Sequence, residues 1–325
     1  MLAAEVVTMT ETKRYDVVVL GGGAAGLSGA LMLGRARRSV LVVDGGEPRN
    51  APAEHMHGFL GHDGASPLEL LKTGRDEVAA YGVEIVTGHA TQASKVDGEF
   101  VVGLDTGLRV RARRLLAATG IVDELPDIAG LAQRWGRDVV HCPYCHGWEF
   151  RDEPVGVLAT GPMGMHQTML FRQLTAEVVH LTHTGPGLTD EEAEQFAARD
   201  ITVVDGEVIS VEVADDRITG VRLRSGQVIP LRAVVVAPRS RPRADALAPL
   251  GLHPAPHPNG EHIPADPTGR TEVPGVWVAG NLTNPMATVV MSAASGSTAG
   301  AVINADLVEE DTRLALARKL PFHAS

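Results

Sequence analysis

Two cysteines are the residues of this chain whose type and spacing point most directly to chemistry. They are the only cysteines among 325 residues, in the segment HCPYCHG at residues 141–147. No third thiol exists to bridge either one, so the sulfurs of Cys142 and Cys145 are expected to react with each other at the start of a helix. A helix N-terminus favours the thiolate and makes such a pair exchange readily. The spacing therefore predicts a redox-active pair.

Other interpretations of this segment stay open from the residues alone. Residues 142–146 also match C-x-x-C-H, the attachment pattern of c-type haem, which normally requires an exported chain. His141 and His146 adjoin the cysteines too closely to complete a zinc tetrahedron, so no metal is expected. Buried inert thiols are disfavoured, because Pro143 and Gly147 suit a turn into a helix. His146 could manage thiol protons near neutral pH or act only electrostatically.

The N-terminal part of the chain has the pattern of a dinucleotide-binding fold. An apolar strand at residues 15–20 leads into the loop GGGAAG at 21–26, then a helix, then a strand at 39–43 that ends at Asp44. A glycine loop alone is weak evidence, but here strand, loop, helix, strand and acid occur in order. The pattern predicts a dinucleotide site.

Each residue of this fingerprint has a physical role. Gly21 allows the tight turn, Gly23 lets a pyrophosphate approach the backbone, and Gly26 lets helix and strand pack closely. The phosphates would lie on free N–H groups at the helix start. A carboxylate at Asp44 accepts hydrogen bonds from a ribose diol and repels a 2′-phosphate.

Two distant segments favour FAD as the dinucleotide. Residues 114–120 form a strand ending in Ala-Thr-Gly, and residues 275–281 form a strand ending in Ala-Gly-Asn. Small residues and a predicted helix over 289–305 follow the second strand. Neither segment is specific alone, but their order around the cysteine pair favours a flavin.

A second, altered copy of the nucleotide-binding pattern follows the cysteines. It comprises a strand at 154–158, a glycine loop at 159–164, a helix at 165–174 and a strand at 177–181. Met163, Met165 and Met169, at near-helical spacing, are interpreted as core residues rather than as a ligand surface.

This second loop departs from the nucleotide fingerprint. Ala159 occupies the first glycine position, and Pro162 removes a backbone donor. Residues 182–184, Thr-His-Thr, offer neither the carboxylate that NAD requires nor the arginine that NADP requires. The sequence indicates a retained fold with a weakened or lost nicotinamide site, and unusual but intact NADPH binding stays the alternative.

Together these patterns predict an α/β protein with two Rossmann-like domains in three layers. The FAD domain is discontinuous, covering residues 1–121 and 248–325. The inserted NAD(P)H-type domain, residues 122–247, carries the cysteine pair.

Composition excludes several partners. The formal net charge is −11, and no long Lys/Arg run exists, so neither nucleic acid nor an anionic membrane is an expected partner. No apolar stretch approaches the length of a membrane span, and no secretory signal is visible at the N-terminus. A cytoplasmic location is expected, where two lone thiols favour catalysis over structure.

From Tyr15 to about Val308 the chain resembles the low-molecular-weight thioredoxin reductase family, through GGGAAG, Ala-Thr-Gly, the C-x-x-C segment and the C-terminal flavin strand. It departs where these reductases usually carry Asp, at His146 and Asn281, and it lacks their arginine-rich NADPH motif. The segments CPYCHGWE (142–149), RNA (49–51) and AGN (279–281) are similar instead to the dithiol oxidase branch, which closes disulfides in natural products such as gliotoxin and holomycin.

The resemblance implies a function and a set of site residues. Cys145 would be the sulfur next to the flavin, Cys142 the sulfur that meets the substrate, and His146 the acid/base. Tyr144 and Trp148 could line the substrate pocket or merely pack. The implied FAD ligands are Gly21, Gly23, Ala24, Ala25, Gly26, Asp44, Gly45, Arg49, Asn50, His57, Ala118, Thr119, Gly120, Gly280, Asn281, Ala287 and Thr288.

The resulting expectation is an FAD-dependent oxidase that converts a small-molecule dithiol to a disulfide, passes the electrons to O2 and forms a homodimer. The first alternative is an NADPH-dependent thioredoxin-disulfide reductase, which runs electrons the other way. The second is a flavin-binding redox sensor without turnover.

Overall fold

The computed structural model describes residues 13–161 and 163–319. Within them the strands are, in chain order, β1 (Arg14–Leu20), β2 (Val40–Asp44), β3 (Glu84–Thr87), β4 (Ala90–Val96), β5 (Glu99–Leu104), β6 (Arg109–Ala117), β7 (Ile121–Glu124), β8 (Val139–Val140), β9 (Val155–Leu158), β10 (Val178–Leu181), β11 (Thr202–Val204), β12 (Val208–Ala214), β13 (Arg217–Leu223), β14 (Val228–Pro230), β15 (Ala233–Val236), β16 (Arg239–Pro242), β17 (Ala255–His257), β18 (Gly260–His262) and β19 (Val276–Val278). The α-helices are α1 (Ala24–Arg35), α2 (Pro67–Ala79), α3 (Pro143–His146), α4 (Met163–Phe171), α5 (Asp190–Ala197) and α6 (Val289–Lys319).

The first sheet is a parallel sheet extended by an antiparallel hairpin. Its strands run in the order β3-β2-β1-β6-β5-β4, and β19 also pairs with β6. Parallel partners end level with one another, because Leu20 pairs with Val43 and with Ala117, while Ala117 also pairs with Val278. The segments that follow these four strands therefore meet at one edge of the sheet, where α/β proteins bind ligands.

Two cores flank this sheet and make it the middle of three layers. Helices α1, α2 and α6 bury Leu33, Leu71 and Ile303 against one face. The hairpin of β4 and β5 buries Phe100 against the other face, together with Leu247 from a 3-10 turn over residues 245–250. This layering covers the sheet that carries the ligand-binding edge on both faces.

The second domain is built on a separate parallel sheet. Its order is β11-β10-β9-β15-β8, and an antiparallel sheet of β12, β13 and β14 covers it. Val157 pairs with His180 and with Val235, and its side chain is fully buried. Two Rossmann-like units in one α/β chain confirm the predicted fold class.

The chain crosses between the two sheets twice, through β7 and β16. These strands pair antiparallel, with Ile121 opposite Pro242 and Glu124 opposite Arg239. The hairpin of β17 and β18 extends this small sheet through β16. Both crossings thus form one paired connection rather than two independent linkers.

Two helices differ in length from the sequence-based expectation. Helix α6 continues to Lys319 instead of ending at residue 305. Past that point Leu307 is still buried, and Asp306 and Asp311 pair with arginines of the first domain, so the added turns are anchored. Helix α4 begins two residues earlier and ends three residues earlier than expected, at Met163 and Phe171.

None of the helices described between residues 13 and 319 combines the length and apolarity needed to cross a bilayer.

Candidate active site

A cavity of about 980 Å³ lies between the ligand-binding edge of the first sheet and the cysteine segment of the second domain. The ends of four strands open into it through Gly21, Asp44, Ala118 and Gly280. Of the residues that the sequence assigned to catalysis or to FAD, all but Gly26 line this cavity. The fold therefore brings together residues separated by more than two hundred positions.

The first glycine loop has the shape of a cradle for a phosphate group. At Gly21 the backbone has φ +103°, and an added Cβ would lie 2.4 Å from the Ala118 carbonyl oxygen. At Gly23 an added Cβ would meet no atom within 4 Å, so space for a ligand is open there. Gly26 lies outside the cavity, and a Cβ there would come 1.8 Å from the Gly21 carbonyl oxygen. Its role is to let α1 pack against β1 rather than to contact a ligand.

Asp44 is fixed at the end of β2 by the loop itself. Its Oδ1 accepts from the backbone N–H of Gly22 and of Gly46, each at 3.2 Å. Its Oδ2 lies 3.7 Å from the guanidinium of Arg75, a cavity residue on α2 that sequence reasoning missed. The held carboxylate fits the ribose-binding role expected for it.

The part of the cavity next to β2 contains a second residue that the sequence did not indicate. His89 packs so closely on Gly45 that an added Cβ would lie 2.2 Å from its Nε2 atom. Both residues line the cavity. Position 45 must therefore be glycine because the His89 ring lies against it. No local sequence signal shows this contact.

The Ala-Thr-Gly segment after β6 contacts the chain at the point where it returns from the second domain to the first. The Thr119 hydroxyl donates to the Arg243 carbonyl oxygen at 2.6 Å. Gly120 follows with φ +72°, a conformation that favours glycine. Ala118, Thr119 and Gly120 all line the cavity, and Thr119 also connects its wall to the residue that follows β16.

The segment after β19 forms a turn held by one side-chain amide. Asn281 Nδ2 donates to the carbonyl oxygens of Asn284 at 3.2 Å, Pro285 at 3.3 Å and Ala287 at 2.8 Å. The turn places Ala287 and Thr288 on the cavity wall. An aspartate at position 281 could not donate these bonds, which explains why asparagine suits this chain.

The loop between β2 and α2 connects the first domain to the second. Arg49 donates twice to Asp123 of β7, at 2.6 and 2.7 Å, and the Asp123 side chain is 6% exposed. His57 bridges two carboxylates, with Nδ1 3.4 Å from Asp63 and Nε2 3.2 Å from Glu149. Glu149 follows the cysteines in sequence, so His57 contacts the catalytic segment as well as the cavity.

Both cysteines are thiols at the start of the short helix α3 and line the cavity. The thiol of Cys145 donates a hydrogen bond to the Cys142 sulfur, and the N–H groups of Cys145 and Tyr144 add to it, which lowers the pKa of Cys142 to about 7. The same hydrogen bond, together with burial, raises the pKa of Cys145. In the reduced pair Cys142 therefore carries the thiolate.

Two histidines beside the pair are held neutral. Burial lowers the pKa of His146, and the Glu149 carboxylate partly opposes this effect. Burial, followed by the charge of Arg49, lowers the pKa of His141 to about 4. Both histidines line the cavity, although the sequence singled out only His146 for catalysis.

Helix α4 supplies the wall of the cavity behind the cysteines, and this corrects one interpretation of the sequence. Met163, Met165 and Met169 are only partly buried, so none belongs to the core, and Met163 lines the cavity. Tyr144 lines the cavity and is 76% exposed. Trp148 is also exposed but lies under Arg151, whose guanidinium is 4.5 Å from its ring centroid.

Thr182 and His183, which the sequence predicts to be unsuited to binding a nicotinamide nucleotide, form hydrogen bonds within their own turn. The Thr182 hydroxyl accepts from Gly206 N–H at 3.3 Å, and His183 Nδ1 accepts from Val208 N–H at 3.0 Å. Gly185 approaches the altered loop so closely that an added Cβ would lie 2.5 Å from the Ala159 carbonyl oxygen. Pro162 lies outside the described residues.

In the two described stretches of the chain, no three histidine, cysteine, aspartate or glutamate side chains lie close enough together to hold a metal ion.

Two Rossmann-like domains with a cysteine pair facing a dinucleotide-type cavity define a class of flavin-dependent thiol–disulfide oxidoreductases. The chain belongs to the pyridine nucleotide-disulphide oxidoreductase family, whose sequence profile matches residues 15–298. Membership in this family implies that the chain binds FAD.

Individual relatives cover nearly the whole chain. "Thioredoxin reductase tcpT" of Claviceps purpurea is 30% identical over 93% of this chain and 97% of its own length. "Thioredoxin reductase sirT" of Leptosphaeria maculans is 31% identical over 89% of this chain and 93% of its own. The crystal structure of HlmI matches with a TM-score of 0.88 and 45% identity, covering 93% of this chain and 95% of that one. The resemblance found in the sequence is thereby confirmed.

Proposed function

We propose that the protein is an FAD-dependent dithiol oxidase that closes a disulfide in a small-molecule dithiol. The observation that carries this proposal is that Cys142 and Cys145 line the same cavity as the glycine cradle of the first domain. A substrate thiol can therefore reach the pair from a cavity that continues to the flavin site.

The exchange step needs only thiol and disulfide groups. In the oxidised protein, a substrate thiolate attacks the Cys142 sulfur, which breaks the Cys142–Cys145 bond and forms a mixed disulfide. The second substrate thiolate then attacks its own mixed-disulfide sulfur, and Cys142 leaves as a thiolate. The substrate has lost two electrons and two protons. The cysteine pair holds both electrons and one proton, as the Cys142 thiolate and the Cys145 thiol, and the other proton passes to a base. A leaving thiol with a pKa of about 7 suits this step.

His146 is the proposed base that accepts this substrate thiol proton. Its lowered pKa keeps the imidazole unprotonated near neutral pH, as a general base must be. The nearby Glu149 carboxylate favours the imidazolium that forms after proton transfer. His57 holds Glu149 at 3.2 Å and thus supports the same arrangement.

When bound, FAD would supply the two-electron acceptor for the reduced cysteine pair; with O2 as the final oxidant, the overall products would be a disulfide and hydrogen peroxide. We assign its binding to the cavity residues that the sequence indicated, with Arg75 and His89 added by the structure. Gly26 supports this site through packing alone.

NADPH has no role in this proposal. The support is the close approach of Gly185 to Ala159 and the engagement of Thr182 and His183 in their own turn. The names of TcpT and SirT instead favour a second candidate function, NADPH-dependent thioredoxin reduction, for which the retained second Rossmann unit provides the fold.

Anaerobic titration of the purified yellow protein discriminates these functions. We expect NADPH to leave the flavin absorbance unchanged and a small dithiol to bleach it. Readmitted O2 should restore the colour and yield one hydrogen peroxide per disulfide. Cys142→Ser and Cys145→Ser should keep FAD but lose the bleaching by dithiol.

Each contrary outcome has a defined meaning. Bleaching by NADPH would establish the reductase function. Bleaching by dithiol without reoxidation by O2 would point to a redox sensor. No response of the flavin to any dithiol would remove the proposal altogether. Sedimentation velocity of the same preparation tests the proposed homodimer.

A further inference from the structure

One face of helix α4 forms a continuous wall of the cavity. Met163, His166, Gln167 and Leu170 follow the spacing that places residues on one side of a helix, and all four line the cavity. Met169 of the same helix does not line it. We call these four residues the α4 face.

The α4 face is fixed relative to the cysteine pair. Gln167 Nε2 donates to the carbonyl oxygen of His141, the residue before Cys142, at 2.8 Å. Just past α4, Leu174 packs on Gly147, where an added Cβ would lie 2.3 Å from its Cδ1 atom. Helix and cysteine segment are thus in direct contact, and a molecule bound at the sulfurs lies beside this face.

The α4 face contains no carboxylate, lysine or arginine, and it offers a hydrogen-bond acceptor. Gln167 is 6% exposed, and its Oε1 atom has no hydrogen-bond partner within the described residues. A buried acceptor without a partner costs free energy that a donor from a ligand can recover. Two charged groups that act on the cysteine segment, Arg49 and Glu149, are already paired with Asp123 and His57.

We propose that the α4 face is the substrate-recognition wall of the oxidase, and that it selects small uncharged dithiols that carry an amide N–H. A substrate carboxylate would lose hydration here without gaining a partner, which disfavours it. Helix α4, which follows the nucleotide-type loop, would then contact the substrate instead of a nicotinamide nucleotide. This proposal rests on the proposed dithiol oxidase function.

Three probes with one dithiol group and different ends test the proposal: dihydrolipoamide, its N,N-dimethylamide and dihydrolipoate. The measurement is the second-order rate constant for anaerobic flavin reduction in the FAD-loaded protein at low ionic strength. We expect the rate constant of dihydrolipoamide to exceed that of the dimethylamide about threefold, because the dimethylamide lacks the N–H that forms the hydrogen bond. We expect it to exceed that of dihydrolipoate about tenfold, because the carboxylate loses hydration.

Charge substitutions on the exposed His166 make the test specific to this face. His166→Lys should raise the ratio of dihydrolipoate to dihydrolipoamide about fivefold, and His166→Glu should lower it by a similar factor. Gln173→Lys and Gln173→Glu are matched controls, because Gln173 is exposed beyond the end of α4 and does not line the cavity. A purely structural role of His166 would change both rate constants equally.

The outcomes separate the two proposals. If all three dithiols reduce the flavin at equal rates, or if the two His166 variants leave the ratio unchanged, the recognition wall is refuted and the oxidase stands. If none of the three reduces the flavin while another small dithiol does, the recognition wall is refuted and the oxidase stands; if no dithiol reduces the flavin, the oxidase itself fails and the inference fails with it.

Discussion

At the scale of single residues, the cysteine pair is asymmetric because only one sulfur accepts hydrogen bonds. Cys142 receives the thiol of Cys145 and two backbone N–H groups, so its pKa is lowered to about 7. The thiolate fraction of Cys142 in the reduced protein therefore rises as the pH increases through about 7. This places the nucleophile on the sulfur that the proposed mechanism assigns to the substrate.

Replacing Cys145 tests this asymmetry. Cys145→Ala removes the donated hydrogen bond, so the Cys142 midpoint should move upward from about 7 toward the ordinary thiol value of about 8.5. The measurement is the rate of iodoacetamide alkylation against pH in the FAD-loaded protein. Cys145→Ser keeps a hydroxyl donor and should shift the midpoint less. An unchanged midpoint in the alanine variant would show that the thiol hydrogen bond does not set the pKa.

Asn281 and Asn284 provide a second contrast between neighbouring residues. Asn281 acts as a donor to three carbonyl oxygens, whereas Asn284 Oδ1 accepts from Met286 N–H at 3.1 Å. Asn281→Asp should therefore lower the free energy of unfolding by about 1–3 kcal/mol and weaken FAD retention. Asn284→Asp keeps its acceptor and should be nearly neutral. Thermal unfolding and flavin content distinguish them, and equal effects would contradict this hydrogen-bond account.

At the scale of elements, the glycine loop separates ligand binding from helix packing. Gly23 faces open space, while an added Cβ at Gly26 would lie 1.8 Å from the Gly21 carbonyl oxygen. Gly23→Ala should leave the urea-unfolding free energy of the apoprotein unchanged and weaken FAD binding at least about tenfold, because a methyl group occupies the phosphate cradle. Gly26→Ala should destabilise the apoprotein itself by about 1–3 kcal/mol through overpacking.

Those two variants are each other's control. Loss of apoprotein stability in Gly23→Ala, or normal stability in Gly26→Ala, would reverse the roles that the structure gives to these glycines.

The elements also show how far the sequence could predict the site. Strand ends such as Asp44 and Ala118 were predictable, because parallel strands place their following residues at one sheet edge. Arg75, His89 and Gln167 were not, because each reaches the cavity from a helix or a connecting loop whose position depends on long-range packing. Met163 was misread for the same reason, since helical spacing shows that a face exists but not what it faces.

At the scale of the whole molecule, the loop between β2 and α2 holds the second domain against the first. Two loop side chains form ion pairs with the second domain, Arg49 with Asp123 and His57 with Glu149. The loop also packs on Gly136 of that domain, where an added Cβ would be 2.8 Å from the Cβ atom of Pro52. These contacts keep the cysteines at the cavity while the small sheet of β7 and β16 connects the domains. A small dithiol needs only access to this cavity, whereas a protein substrate would require the contacts to open.

Gly136→Ala tests whether this contact positions the cysteines. The added methyl group meets Pro52 at a position with φ +79°, so it should push the two domains apart. Gly226→Ala is the matched control, because Gly226 has φ +92° but no atom within 4 Å of its added Cβ. Both variants should lose about 1–2 kcal/mol of stability from the left-handed backbone. Only Gly136→Ala should slow flavin reduction by a dithiol, at least about tenfold, because misplacing reacting groups by about 1 Å is that costly. Equal rates in the two variants would mean that the cysteines hold their position without the loop.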